Sequence, residues 1–230
     1  MKSSSKLTAL AVAGMCVTLG LRNAQASTVL GIDVSSYQGS INWASVHSCG
    51  ASFAFAKASE GVSFLDPKFK NNMNNGKAAG MLMGAYHFAR PDLNCPGPEA
   101  NYFWSAAGAY IIADGKSLFP AVDFEVFNGH ACQPSYTAWF NTWATDVKAK
   151  TSHFLHPVIA VSCAAACDIP GSSLEIWGLD PNGPGSCTCI TNWTYWLINP
   201  NGAICGVTGS VDLDEYNGTL SGLIATQVVQ

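Results

Sequence analysis

Basic residues are scarce in this sequence. Of its 230 residues, 11 are Lys or Arg and 15 are Asp or Glu, so charged side chains make up only 11% of the chain. A protein that binds nucleic acid usually carries a patch of Lys and Arg on one face. No such patch can be found here, and we expect no nucleic-acid partner.

Long apolar segments are lacking after residue 26. The apolar run at 7–21 follows Lys2 and Lys6 and precedes Ala24-Gln25-Ala26, which is the order of elements in a secretory signal peptide. A membrane anchor is the alternative interpretation, but the run is short for a membrane span. We therefore predict a signal peptide at 1–26, cleavage after Ala26, and an exported protein without a membrane association.

Removal of this segment makes the chain more acidic. Lys2, Lys6 and Arg22 are lost with it and no acidic residue is, so 8 basic side chains remain against 15 acidic ones, a net charge of −7. Such a protein gains no long-range attraction to an anionic bacterial wall at neutral pH.

The cysteine count predicts disulfides. Cys16 lies in the predicted signal peptide, and the other eight of the nine cysteines form an even set in an exported chain. Cys95 and Cys132 both follow candidate strands that should be neighbours, so this bridge is the first one we predict. Zinc is the competing interpretation of the closely spaced cysteines at 163–167 and 187–189.

Residues 27–230 have the size of one domain and contain no low-complexity linker. Short apolar strands recur along this segment, and helical patterns separate the early ones. The predicted strands are 29–34, 53–58, 81–88, 118–124, 157–162, 174–178, 193–198 and 210–213, and the predicted helices are 42–48, 66–79, 98–113 and 135–150.

This alternation is typical of an α/β fold with a parallel sheet and right-handed crossovers, and eight strands suggest closure into a barrel. The connections between the last three strands are short and rich in Gly, Pro and Cys. We therefore predict a single-domain, irregular TIM-like barrel in which helices are missing near the end.

One predicted strand carries two carboxylates. The segment FPAVDFE at 119–125 is apolar and places Asp123 and Glu125 at i and i+2, a spacing that puts both on one face of a strand. Neighbouring carboxylates repel when both are ionised, so the pKa of one should be raised. Such a pair is the equipment of a glycosidase, although an ordinary exit from a strand is the alternative for this motif alone.

Further acidic residues should converge on this pair. The site of a barrel lies at the carboxyl ends of its parallel strands, where the first strand delivers Asp33 and the last brings Asp212. The first and last strands are neighbours in a closed barrel. Asp33 and Asp212 should therefore meet close to Asp123 and Glu125.

Five segments, in this order, resemble glycoside hydrolase family 25, the lysozymes of the N-acetylmuramidase type. They are GIDVSSYQG at 31–39, FAFAKASEG at 53–61, GAYHFARP at 84–91, PAVDFE at 120–125 and GSVDLDEYNG at 209–218. The resemblance implies a (β/α)5(β)3 barrel that cleaves the β-1,4 bond between N-acetylmuramic acid and N-acetylglucosamine in bacterial peptidoglycan. We expect no cofactor, no metal and a monomer.

The resemblance also implies roles for the acidic residues. Glu125 matches the general acid. Asp123 matches the carboxylate beside it, which either assists the N-acetyl group of the substrate as internal nucleophile or stabilises positive charge on the sugar. Direct displacement by water activated by another carboxylate is a third possibility, and we favour substrate assistance. Asp33 and Asp212 would hold this network in register.

Aromatic and basic residues are candidates for substrate contacts. Tyr37, Tyr86 and Phe88 have flat rings that can cover the apolar face of a sugar. Lys57 is a candidate for binding substrate or for pairing with a carboxylate. His87 should point away from Tyr86 and Phe88 along the same strand, so we expect a hydrogen-bonded structural role for it.

The sequence departs from the family at Leu197, in the run Tyr195-Trp196-Leu197, where many members carry Trp-Gln-Tyr. Leucine loses the amide of the glutamine, which leaves the contacts in that part of the cleft open. Asn192 and Asn217 begin glycosylation sequons.

Other functions stay open at this point. A chitinase-like glycosidase, a lectin-like barrel that binds glycan without cleavage, and a metal-dependent hydrolase with Asp33, Asp123 and Asp212 as ligands are the alternatives. The acidic charge and the need for a protonated acid predict an acidic activity optimum, suited to secretion or to an acidic digestive compartment.

Overall fold

The computed structural model describes residues 28–169 and 175–230, so the predicted signal peptide lies outside the described residues. In these ranges nine strands form one sheet. They are β1 Val29–Val34, β2 Phe53–Glu60, β3 Phe64–Leu65, β4 Leu82–Phe88, β5 Ala121–Asp123, β6 Val158–Val161, β7 Glu175–Gly178, β8 Tyr195–Gly202 and β9 Val211–Tyr216. The α-helices are α1 Trp43–Ser48, α2 Phe69–Ala78, α3 Pro96–Ala107, α4 Tyr136–Lys148, α5 Cys163–Ala166 and α6 Leu220–Gln227.

Eight of these strands close into a barrel, as predicted. The order is β1-β9-β8-β7-β6-β5-β4-β2, and β1 also pairs with β2, which completes the circle. Neighbours are parallel from β1 round to β8, whereas β9 runs antiparallel to both β8 and β1. The short β3 was not predicted; it pairs with the last residues of β2 as an antiparallel hairpin.

Helices follow five of the barrel strands and are lacking near the end. The helices α1 to α5 come after β1, β2, β4, β5 and β6, and between β7 and β9 the described residues form a 3-10 turn at Pro184–Ser186 but no α-helix. This arrangement confirms the predicted (β/α)5(β)3 pattern. No helix in the described ranges has the length and apolar character of a membrane span.

Several predicted boundaries were too wide, and two of them have local chemical reasons. The helix α2 starts at Phe69 rather than 66, because the Asp66 carboxylate accepts hydrogen bonds from the backbone N–H groups of Ser36 at 2.7 Å and Lys68 at 2.8 Å and so holds a turn before the helix. The strand β5 starts at Ala121 rather than 118, since Pro120 has no N–H to give to a ladder.

Aromatic rings fill the inside of the barrel. Phe55 lies 4.8 Å from Trp177 and 5.1 Å from Tyr195, measured between ring centroids. Glycines on neighbouring strands make room for these rings: a Cβ on Gly31 or Gly84 would lie 2.3 Å from a phenylalanine ring. This closely packed floor supports the carboxyl ends of the strands.

Four disulfides tie the loops together. Cys95 is bonded to Cys132, which confirms the bridge predicted first. The others are Cys49–Cys205, Cys163–Cys187 and Cys167–Cys189. The zinc interpretation is therefore wrong, because each cysteine of the pair at 163 and 167 forms a disulfide with a cysteine of the pair at 187 and 189. Four disulfides are typical of a chain in an oxidising compartment.

Candidate active site

A cleft of about 430 Å³ opens at the carboxyl ends of the parallel strands. All four residues that were predicted to be catalytic line it: Asp33, Asp123, Glu125 and Asp212. Three of the four predicted substrate-binding residues, Lys57, Tyr86 and Phe88, line it as well. The structure thus brings together side chains that are up to 179 positions apart in the sequence, from Asp33 to Asp212.

The strand β5 places the central pair. It ends at Asp123, and Phe124 turns outward into the layer between barrel and helices, where it is fully buried and its ring lies 5.4 Å from Trp139. This anchor forces Glu125 back to the side of Asp123. Glu125 is exposed to the cleft, whereas Asp123 is half-buried behind it.

Asp33 and Asp212 meet by strand pairing. They are direct partners in the antiparallel register of β1 and β9, as predicted from barrel closure. One detail was wrong: Asp212 comes from the amino end of its strand and not from a carboxyl end, because β9 runs opposite to the other barrel strands.

Burial and mutual repulsion raise the proton affinity of the cluster. Burial, followed by the neighbouring Glu125, raises the pKa of Asp123 well above its usual value, and Lys57 partly opposes this rise. Asp123 Oδ1 is buried and has no hydrogen-bond donor within the described part of the chain. Asp123 therefore retains its proton to a higher pH than an isolated Asp would.

Asp214 completes the acidic network and was missed by the sequence analysis. It is fully buried and its Oδ1 accepts a hydrogen bond of 2.9 Å from Trp177 Nε1. Burial raises the pKa of Asp33 and of Asp214 well above normal, and their proximity to Asp212 adds to both shifts. The pKa of Asp212, which is less buried, is raised to about 6, by burial first and then by Glu125.

The spacing could have revealed Asp214. Asp212 and Asp214 stand at i and i+2 in β9, the same relation that marked Asp123 and Glu125, and side chains at that spacing share a face of a strand. The Trp177 donor, in contrast, has no comparable signal in the sequence.

The strand β4 separates binding candidates from structural residues. Tyr86 and Phe88 both face the cleft. His87 faces the other way and is completely buried, with Nδ1 at 2.9 Å from Ser59 Oγ and Nε2 at 2.8 Å from Glu99 Oε2. The predicted structural role of His87 is thus confirmed.

Lys57 and Tyr37 lie at the edges of the site. The Lys57 ammonium is 2.7 Å from Glu60 Oε2 and 4.6 Å from the centre of the Phe88 ring, so its direct ion-pair partner is not one of the predicted catalytic carboxylates. Tyr37 is 86% exposed and lines a hollow of about 290 Å³ that shares Asp33 and Asp212 with the cleft.

Apolar side chains from β7, β8 and the residues that follow β7 form a further part of the cleft wall. They are Trp177, Leu179, Pro181, Leu197 and Pro200. Leu197 therefore lines the cleft, as the comparison with the family pattern suggested. It presents an apolar surface at the position where the glutamine of many family members would offer an amide for hydrogen bonds.

A closed barrel whose strand ends carry adjacent carboxyl groups in an open cleft defines a glycosidase. Residues 32–159 match the family described as Glycosyl hydrolases family 25. The chain belongs to this family, which confirms the resemblance found in its motifs.

Named relatives support this assignment. The chain is 35% identical to Lysozyme M1 of Streptomyces globisporus, with 88% of this chain and 72% of the relative covered. It is 29% identical to the N,O-diacetylmuramidase of Chalaropsis sp, with 85% and 97% covered. Among solved structures it is similar to the bacterial lysozyme from Streptomyces coelicolor, with a TM-score of 0.76, 34% identity, and 87% of this chain and 97% of that chain covered.

Proposed function

We propose that this protein is a lysozyme that hydrolyses the β-1,4 bond between N-acetylmuramic acid and N-acetylglucosamine in bacterial peptidoglycan. The observation that carries the proposal is the pair of Asp123 and Glu125, held by one strand end at the base of an open cleft. The muramidase and lysozyme relatives support the choice of substrate.

In this mechanism Glu125 is the general acid. Its side chain is open to the cleft, where it can protonate the leaving glycosidic oxygen. Asp123 lies deeper, and burial followed by the neighbouring Glu125 raises its pKa, so we infer that Asp123 holds the proton that the acid needs. As the proton passes to Glu125 and on to the leaving group, Asp123 becomes a carboxylate next to the reacting sugar.

The new carboxylate then acts on the substrate. The Asp123 carboxylate accepts a hydrogen bond from the N–H of the N-acetyl group. The carbonyl oxygen of that group then attacks the anomeric carbon as the glycosidic bond breaks. Water opens the resulting ring and restores the acetamide, with Glu125 taking the proton of the water. A carboxylate that only stabilises positive charge on the sugar is the second role open to Asp123.

Asp33, Asp212 and Asp214 support this pair. Asp33 and Asp212 are paired across β1 and β9, and Asp214 follows two residues later in β9. Burial, together with repulsion between these carboxylates, raises the pKa of Asp33 and of Asp214. We infer that their task is to hold the charge and orientation of the reacting carboxyl groups.

The test is the identity of the new chain ends. Purified peptidoglycan treated with the protein should release fragments with N-acetylmuramic acid at the reducing end, detected by borohydride reduction and mass spectrometry. N-acetylglucosamine at the reducing end would indicate the opposite bond specificity. Binding to the wall without release of any fragment would favour the lectin-like alternative.

The pH dependence should show an acidic optimum. Burial raises the pKa of Asp123, with further contributions from Glu125 and from the charge of Asp212, and Asp212 itself ionises as the pH rises through about 6. Loss of the Asp123 proton at higher pH removes the proton supply of the acid, and the net charge of −7 expected without residues 1–26 increases repulsion from the wall. We expect the hydrolysis rate to peak below pH 7 and to fall on the alkaline side.

The sign of this effect can be checked with Asp212→Asn. The substitution removes a negative charge that helps to raise the pKa of Asp123, so the alkaline limb of the pH–rate profile should move to lower pH. Rates measured on a neutral soluble glycan separate this effect from wall repulsion. An optimum above pH 7, or a limb that moves to higher pH, would contradict the assignment.

We further propose that residues 1–26 direct export and that 27–230 form the catalytic domain, which acts as a monomer. The four disulfides support an extracellular location or an acidic digestive compartment. Mass spectrometry of the protein secreted by its host would give the amino terminus, which we expect at Ser27.

A further inference from the structure

The hairpin of β2 and β3 presents apolar side chains to solvent next to the cleft. β3 pairs with the end of β2 through Ser59 with Leu65 and Glu60 with Phe64. Phe64 is 42% exposed and Leu65 is 50% exposed, so this short strand adds little to the core. An exposed aromatic residue on a strand beside an active site suggests a contact with ligand.

Phe64 lies beside the wall of the cleft. The Lys57 ammonium lies 5.5 Å from the centre of the Phe64 ring and 4.6 Å from that of the Phe88 ring, and both Lys57 and Phe88 line the cleft. The two rings thus share one cation, which Glu60 fixes by an ion pair of 2.7 Å. The rings of Phe64 and Phe88 are therefore held near the same ammonium group at the edge of the cleft.

The hairpin holds Phe64 in place. The backbone N–H of Gly61 donates to the Phe88 carbonyl at 3.1 Å, and that of Asp66 donates to the Ala58 carbonyl at 3.0 Å. Glu60 also lies 3.9 Å from Arg90. Because these bonds fix the backbone of the hairpin, a ligand that binds at Phe64 does not have to order a loop.

We propose that Phe64 forms an additional sugar-binding position, which takes a saccharide unit of the glycan strand beyond those in the cleft. The inference rests on the proposed muramidase function and extends it to chain-length preference. The flat ring can cover the apolar face of a pyranose, and the Lys57 ammonium beside it has N–H donors left for sugar hydroxyls after its bond to Glu60.

The experiment measures binding of short and long substrates in a silenced protein. In the Glu125→Gln background, calorimetry with a tetrasaccharide and an octasaccharide of alternating N-acetylglucosamine and N-acetylmuramic acid gives two dissociation constants. Phe64→Ala should weaken binding of the octasaccharide about fivefold, the scale of one aromatic contact. It should leave binding of the tetrasaccharide unchanged.

Matched variants separate stacking from packing. Phe64→Tyr retains the flat ring and should bind the octasaccharide like the parent, whereas Phe64→Leu keeps an apolar side chain but should lose the preference. Ile112→Ala removes a side chain of the same 42% exposure in the connection that leads into the amino end of β5, away from the cleft, and should change neither constant.

Two results would overturn the inference: equal loss with both saccharides after Phe64→Ala, or no loss with either. Failure of the proposed function itself would be seen separately. In that case the unsubstituted protein would not cleave the octasaccharide at all, whatever the binding constants of the Phe64 variants.

Discussion

Replacement of Glu125 by Gln is expected to lower kcat for hydrolysis of peptidoglycan by about 10³-fold. The amide has nearly the same shape as the carboxyl group but has no acidic proton to give to the leaving oxygen, and general acid catalysis contributes on the order of 10²–10⁴. Glu125 is exposed, so the free energy of unfolding should change by less than about 1 kcal/mol. Rates of reducing-end release and thermal unfolding curves measure the two quantities.

Glu215→Gln is the matched control for this substitution. Glu215 is a half-buried glutamate in β9, next to Asp214 in sequence, and its side chain leaves the strand on the opposite face from Asp212 and Asp214. Its amide variant should hydrolyse the wall at the parental rate. If Glu125→Gln retains more than a tenth of the activity while Glu215→Gln retains all of it, another group supplies the proton.

Asp123 and Glu125 have different roles in the proposed mechanism because they lie at different depths. Asp123 is the member whose pKa is raised by burial, while Glu125 is the member that reaches the cleft. In the proposed mechanism the less exposed group, Asp123, holds the proton and the open group, Glu125, delivers it to the leaving oxygen. Sequence spacing alone predicted the pair but not this difference in depth.

Features that depend on alternation along one strand could be predicted from the sequence. In FPAVDFE, the apolar residues and the i, i+2 carboxylates are enough to define a buried strand with a reactive end. The meeting of Asp33 and Asp212 followed from a topological rule, because a closed barrel makes its first and last strands neighbours. The first prediction rests on local periodicity and the second on the topology of a closed barrel.

The direction of β9 could not be predicted in this way. The alternation of apolar and polar residues in a strand is the same in either direction, so the pattern in VDLDEY does not indicate which end of β9 faces the site. The reversal follows from the short β8–β9 connection, which has no helix to carry the chain back across the barrel. Three of the four disulfide pairings were equally inaccessible, since spacing does not fix connectivity.

Lys57 shows a different limit. The sequence predicts a basic residue near several carboxylates, but its bond is to Glu60, three residues on. Lys57 pairs with Glu60 because the end of β2 brings the Glu60 carboxylate to the Lys57 ammonium. The rings of Phe64 and Phe88 flank this ammonium. Which of several nearby carboxylates pairs with a lysine can be decided only from the positions of the side chains.

A buried polar network behind the cleft should contribute strongly to stability. Glu99 in α3 is fully buried and accepts hydrogen bonds from His87 Nε2 at 2.8 Å, Asn94 Nδ2 at 2.8 Å and the backbone N–H of Arg90 at 3.1 Å. His87 in turn contacts Ser59 on β2. One carboxylate thereby joins the end of β4 and its following loop to the helix that covers them.

Glu99→Ala is expected to destabilise the protein by about 3–5 kcal/mol, because it leaves the buried donors of His87, Asn94 and Arg90 without an acceptor. For a chain of this size the thermal midpoint should fall by on the order of 10 °C, as measured by circular dichroism. Glu215→Ala, which removes a glutamate from a half-buried position of β9, should shift the midpoint by only a few degrees. Similar midpoints for the two variants would show that the network positions the loop without stabilising the fold.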